Sequence, residues 1–237
     1  MPYRSPSQRA VTPQGQGRFP GFDVLDQVDA WDDVTAGAIL SRLALPGELA
    51  FFNPHEVGVA APLLDLLLGQ DGDPRVPVLA MIDARLSVGE TDGWHYDDMP
   101  EDAEAWRQSL AWLDEDAKAA HSGRGFAELV TTEQAELVQA VQDRGNNGEK
   151  WHEWSAKHLW SLWTRYACTA FYSHPWAWNE MGYPGPAYPR GYLNPGVNSR
   201  EKWEVRDHAK TDPVPFAQRA EQARKKHAEL VNRGEAM

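Results

Sequence analysis

The chain is almost without cysteine. Cys168 is the only one among 237 residues, which excludes an internal disulfide and any thiol-rich zinc or iron–sulfur site built within the chain. No apolar run reaches the about 18 residues that a membrane-spanning helix needs. The opening stretch MPYRSPSQRAVTPQGQGRFPGF carries positive charge but no apolar core, so it does not read as a secretory signal. Basic residues are also in short supply: 23 Lys and Arg stand against 35 Asp and Glu, a formal charge of -12. A surface of that sign repels phosphate backbones, and nucleic acid is not an expected partner. Catalytic fingerprints are missing too. There is no GxGxxG, no P-loop lysine, no HExxH, no GxSxG and no CxxCH. Asp71 and Asp73 lack the twelve-residue calcium loop with its terminal glutamate.

What the chain does have is apolar and aromatic mass, 42% apolar residues with eleven tryptophans, enough for one sizeable core. Its spacing is helical. DAWDDVTAGAILSRL predicts a first helix with Val34, Ile39, Leu40 and Leu43 at helical intervals. In FFNPHEVGVAAPLLDLLLG, Asn53 is a cap, Pro54 fits the first helical position and Glu56 completes a capping box. Pro62 is expected to kink or break that helix. Pro77 opens another, and Trp106, Leu110, Leu113 and Ala117 mark a fourth. Thr131 with Gln134 reads as a capping box for a fifth. EKWHEWSAKHLWSLWTRYACTAFYS reads as one long helix, apolar on more than one side. The expected fold is all-α: an irregular helical domain over 21–196 with a Pro/Gly/aromatic-rich loop. A flexible or partner-ordered arm over 1–20 precedes it, and an extension over 197–237 with a basic helix near Lys225 and Lys226 follows.

Candidate chemistry is thin before residue 171 and dense after it. His95 sits in an acidic run with Asp97, which reads either as a metal site or as a solvated loop. From Phe171 to Tyr192 the chain gathers Phe171, Tyr172, His174, Trp176, Trp178, Tyr183, Tyr188, Arg190 and Tyr192 among prolines and glycines. Aromatic side chains bury much area for little entropy loss, and prolines reduce the freedom lost on docking. The nine residues are therefore candidates for partner binding, with Arg190 as a directional anchor. Packing of the rings within the chain is the plainer alternative. A free-standing enzyme using His95, Asp97 and His174, and a carbohydrate-binding module using Trp176 and Trp178, also remain open.

Two stretches resemble the gluconate 2-dehydrogenase subunit 3 family. One is FFNPHEVGVAAPLLDLLLGQDGDPRVPVLAMIDARL. The other is FYSHPWAWNEMGYPGPAYPRGY, in which Phe171, His174, Pro175, Trp178, Gly182, Tyr183, Pro184 and Gly185 match the family's pattern. The resemblance implies a noncatalytic small subunit that stabilises and assembles a larger FAD-dependent oxidoreductase of the glucose–methanol–choline type, acting on a sugar, sugar acid or related alcohol. FAD and the catalytic histidine are then expected in the partner chain, with no cofactor, metal or catalytic residue here. A cytochrome c or another electron acceptor is a further possible partner. Many members begin with a twin-arginine export signal, and this opening has no paired arginines. Cytoplasmic localisation is expected from the chain as written, with periplasmic co-export on a partner as the alternative.

Overall fold

The helical spacing of the sequence carries through into the architecture. The computed structural model describes residues 22–44, 47–70, 75–194 and 199–205, together with Phe19 and Gly196. The expected arm over 1–20, apart from Phe19, and the basic helix of the tail lie outside the described residues. A 3-10 helix, Val24–Ala30, leads into α1 (Asp33–Ser41). Then come α2 (Pro54–Leu68), α3 (Val78–Ser87), α4 (Asp102–Ala120) and α5 (Thr131–Asn146). A two-stranded antiparallel hairpin, β1 (Lys150–Trp151) and β2 (Trp154–Ser155), precedes α6 (Ala156–Ser173) and α7 (Pro175–Met181).

Local chemistry sets the boundaries. The Asn53 side chain accepts from the N–H groups of His55 and Glu56 at 2.9 and 3.0 Å, and Glu56 accepts from the Asn53 N–H at 2.8 Å. These bonds satisfy donors that a helix start otherwise leaves open. Gly69, with φ 65°, closes α2 in the left-handed conformation. Of the kink or break expected at Pro62, the break does not occur: the helix runs on to Leu68. Proline costs about 3 kcal/mol inside a helix, whereas full burial of each large aliphatic side chain contributes about 1.5–3 kcal/mol. Val59, Leu63 and Leu64 are all buried on the same element, so packing outweighs the missing N–H.

Two further expectations are corrected. Trp151 and Trp154 are not on the long helix but pair across the β1–β2 hairpin. His152 turns the hairpin with φ 51°, and α6 starts only after Ser155, whose hydroxyl accepts from the His158 N–H at 3.4 Å. Thr131 does not cap α5 either. Val130 holds that position, and its N–H donates to the Glu133 carboxylate at 3.1 Å. Gln134 is instead buried, donating to the Phe126 carbonyl at 2.9 Å. Val34 of α1 faces solvent, while Ile39 is buried.

Helix α6 is the centre of the main core. Leu159, Trp163, Tyr166 and Ala167 are at most 1% exposed, and the helix packs against α2, α3, α4 and α5. Two of its buried polar rings are paired within that core. The Trp163 Nε1–H donates to Ser109 Oγ at 3.0 Å, and the Tyr166 hydroxyl donates to the buried Asp102 at 2.7 Å. Burial and the Asp102 charge push the Tyr166 phenol well above its ordinary range. At Gly145 a Cβ would lie 3.1 Å from the Lys157 backbone, so glycine permits the close approach of α5 to α6.

The stretch before α2 has no ladder of its own. Buried Asp83 of α3 supplies the acceptor, taking the N–H groups of Ala50, Phe51 and Phe52 at 2.8, 3.0 and 2.8 Å. Arg107 of α4 reinforces it, donating to the Phe51 carbonyl and to Glu56, both at 2.7 Å. Replacing Asp83 by Ala strands these donors, and the expected loss of global stability is about 3 kcal/mol. Urea denaturation checks this; a loss below about 1 kcal/mol would show that the carboxylate is not the anchor.

Candidate functional site

The aromatic segment starts as helix. Phe171, Tyr172 and Ser173 are the last turn of α6, and α7 follows after the single residue His174. Here the chain obeys simple rules. His174 Nδ1 accepts from the Trp176 N–H at 3.2 Å, Pro175 takes the first helical position, and Gly182 ends the helix with φ 68°. Only from Tyr183 onward is the segment irregular.

The nine candidate residues divide by burial. Phe171, His174 and Trp178 are 5%, 2% and 5% exposed, so they are packed within this chain. The Trp178 indole N–H donates to the Tyr172 carbonyl at 2.6 Å, and its ring meets Tyr183 edge-on at 5.2 Å. Trp176 and Arg190 are half-buried. Tyr172, Tyr183, Tyr188 and Tyr192 are exposed, as are Met181 before Tyr183 and Leu193 after Tyr192. Arg190 is engaged internally: it donates to Gln27 at 2.8 Å and to the Pro186 carbonyl at 3.2 Å, and its guanidinium lies 4.0 Å over the Trp203 ring.

What holds the irregular part is the N-terminal segment, residues 22–44. The Trp31 indole N–H donates to the Pro186 carbonyl at 3.0 Å. A Cβ on Gly185 would stand 2.3 Å from the Trp31 ring, and φ there is 79°. Glycine is thus required twice over, for space and for backbone conformation. Nearby, the Val24 N–H donates to Asn179 at 2.8 Å, and Asn179 donates to Asp23 at 3.2 Å. Arg42 donates to the Ser173 carbonyl at 2.8 Å with its guanidinium 5.7 Å over Trp178. Trp31 is not legible as a site residue from sequence; the partners that Trp31 and Asn179 bond lie about 155 residues away. A tryptophan just before a helix cap, flanked by Asp29 and Asp32, was the available signal.

His174 sits where the two ends meet. Burial pushes its imidazole down from 6.5 to about 4, with a hydrogen bond to the Arg42 backbone opposing the shift and the Arg42 charge adding to it. It is a neutral, packed cap at physiological pH. His95 and Asp97 are elsewhere. His95 lies 3.8 Å from Glu101 and lines a cavity of about 420 Å³ with Trp94 and Asp102. Asp97 lines another of about 470 Å³ with Trp112 and Trp154, and His174 lines neither. The three residues of the enzyme reading do not share a pocket. Trp178 likewise has no free face for stacking on a sugar. Among the described residues no group of three or more His, Cys, Asp or Glu side chains is set to hold a metal ion. No described helix is long and apolar enough to cross a membrane.

The family model of gluconate 2-dehydrogenase subunit 3 matches residues 54–185. The chain belongs to this family. No curated protein and no solved structure shows a significant match to it. The subunit 3 match opens at Pro54, the first residue of α2, and ends at Gly185, the glycine beneath Trp31. It therefore takes in α2 to α7, whereas the segment 22–44 that braces the glycine turn precedes it. Membership makes the chain a subunit of a dehydrogenase complex, which implies a larger partner.

Between pH 6.5 and about 4 the unfolded His174 takes up a proton that the folded one refuses. The folded form keeps its full stability above that window and loses it as pH falls through it. The loss at the lower limit is on the order of 3 kcal/mol. His174→Gln is expected to flatten the decline, measured by chemical denaturation followed through tryptophan fluorescence. Parallel decline in wild type and variant would contradict the burial assigned to this imidazole.

Proposed function

We propose that this chain is a noncatalytic small subunit that stabilises and assembles a larger FAD-dependent oxidoreductase of the glucose–methanol–choline type. The complex would oxidise a sugar, sugar acid or related alcohol, with FAD held in the larger chain and electrons passed on to a cytochrome c or another acceptor. Membership of the subunit 3 family supports the existence of the larger partner. The observation that carries the docking mode is the exposed set Tyr172, Tyr183, Tyr188 and Tyr192, which rises from a braced corner of α6, α7 and the glycine turn.

Physical chemistry favours that face for contact. A tyrosine buries a large amphipathic ring and loses only two side-chain torsions. The backbone beneath is already bent by prolines and held by Trp31 and Arg190, so little further ordering is needed on docking. Phe171, His174 and Trp178 serve this surface from below as its packed support. The contact itself falls to the four tyrosines, with Trp176 and Arg190 at its edge.

Co-expression with an FAD-dependent large subunit of the glucose–methanol–choline type from the same genome tests the reading. The expected product is a yellow complex of two chains, and omission of the small chain leaves the large one insoluble or poorly folded. Combined Tyr172→Ala, Tyr188→Ala and Tyr192→Ala changes are expected to weaken association by about a hundredfold, with helix content unchanged. Unaltered association of the triple variant would move the interface elsewhere. Oxidation of a sugar by the purified small chain alone, with an added acceptor, would overturn the noncatalytic role.

A further inference from the structure

The apolar side chains of this protein form two clusters rather than one. The larger takes its buried residues from α2 to α6, with the hairpin tryptophan Trp151 and Ala177 of α7. The smaller consists of Val24, Trp31, Ile39 and Trp178, with Phe22, Leu25, Val28 and Ala36 packed against it. Only α7 belongs to both, giving Ala177 to one and Trp178 to the other. The N-terminal 3-10 helix packs chiefly on α7. Arg42, through its bond to the Ser173 carbonyl, is the hydrogen-bonded tie from residues 22–44 to the end of α6.

The glycine turn shows the complementary pattern. Its long-range hydrogen bonds among the described residues run to the N-terminal segment: Trp31 to the Pro186 carbonyl and Arg190 to Gln27. Gly185 lies under the Trp31 ring, and Gly182 lies under Phe19, whose ring a Cβ would meet at 2.6 Å. Each segment thus supplies most of the other's tertiary contacts; Trp203 adds a ring against Arg190, and the tie to the main core is the Arg42 bond to the Ser173 carbonyl. Segments that bury their apolar surface mainly on one another open together.

We propose that residues 22–44 and 182–192 form a latch, a cooperative unit that opens and closes on α7 as one body while α2 to α6 stay folded. Closure places Tyr183 against Trp178 and sets the turn bearing Tyr188 beside Arg190. The latch therefore governs whether the tyrosine face is preorganised; this consequence alone rests on the partner reading above. The latch itself is a property of the isolated chain, so its test stands or falls apart from that reading.

Native-state hydrogen exchange of the full chain, read by mass spectrometry, tests it. In the wild type, peptides covering 22–44 and 182–192 are expected to share one opening equilibrium, weaker than that of α6. Trp31→Ala is expected to lower protection by about a hundredfold in both segments together, and in α2 to α6 by less than about threefold. Gly185→Ala approaches the same contact from its other side and is expected to reproduce the two-segment loss. Loss confined to the substituted segment would overturn the latch. So would an equal loss across α2 to α6, or failure of the Trp31→Ala chain to fold at all, because the main core is required to stand without the latch.

Discussion

The contact of the Trp31 ring with Gly185 joins two segments that lie about 155 residues apart in the chain. On one side is a segment of about twenty residues that is too short to form a core by itself. On the other is a turn rich in proline and glycine, unable to build a ladder or a helix. Each lacks what the other supplies. The indole brings area and one hydrogen-bond donor, and the turn brings a carbonyl at Pro186 and a backbone without a side chain in the way. Most of what is proposed for the tyrosine face assumes that this join is closed, because Tyr183, Tyr188 and Tyr192 are carried on the backbone it fixes, while Tyr172 stands on the end of α6.

The main core sets a firm base beneath that join. Helix α6 is apolar around most of its circumference and is accordingly surrounded, with α2, α3, α4 and α5 against it. Its two buried polar rings are each paired, Trp163 with Ser109 and Tyr166 with Asp102. Such pairs fix rotation and register as well as adding stability. The base ends at His174, whose neutral imidazole caps α7 and meets the backbone of Arg42. The joint between core and latch thus sets a buried, neutral imidazole beside the solvent-exposed Arg42.

Helical spacing was legible wherever one face carried the burial. Trp106, Leu110, Leu113 and Ala117 of α4, and Val59, Leu63 and Leu64 of α2, are all in the core as their spacing predicted. Legibility failed where a local signal competed with tertiary packing. Pro62 forbids a helix only if nothing repays the lost bond, and the buried stripe beside it does. WHEW has helical residues but turns at His152 through a positive φ, which composition does not announce. The short α7 was hidden by its aromatic content, although Pro175 at its start and Gly182 at its end follow ordinary rules. At the candidate site, the residue types were readable and their sidedness was not. Burial of Phe171 and Trp178 depends on elements distant in the chain, and a single sequence carries no record of such pairings.

Hydroxyl-radical footprinting of the four tyrosines, in the free chain and in complex with the larger subunit, tests the central claim most directly. The account predicts strong protection of Tyr172, Tyr183, Tyr188 and Tyr192 on association, while exposed Trp94 and Val130 on other parts of the surface keep their reactivity. Unchanged reactivity of the tyrosines in a formed complex, with protection at Trp94 instead, would contradict it.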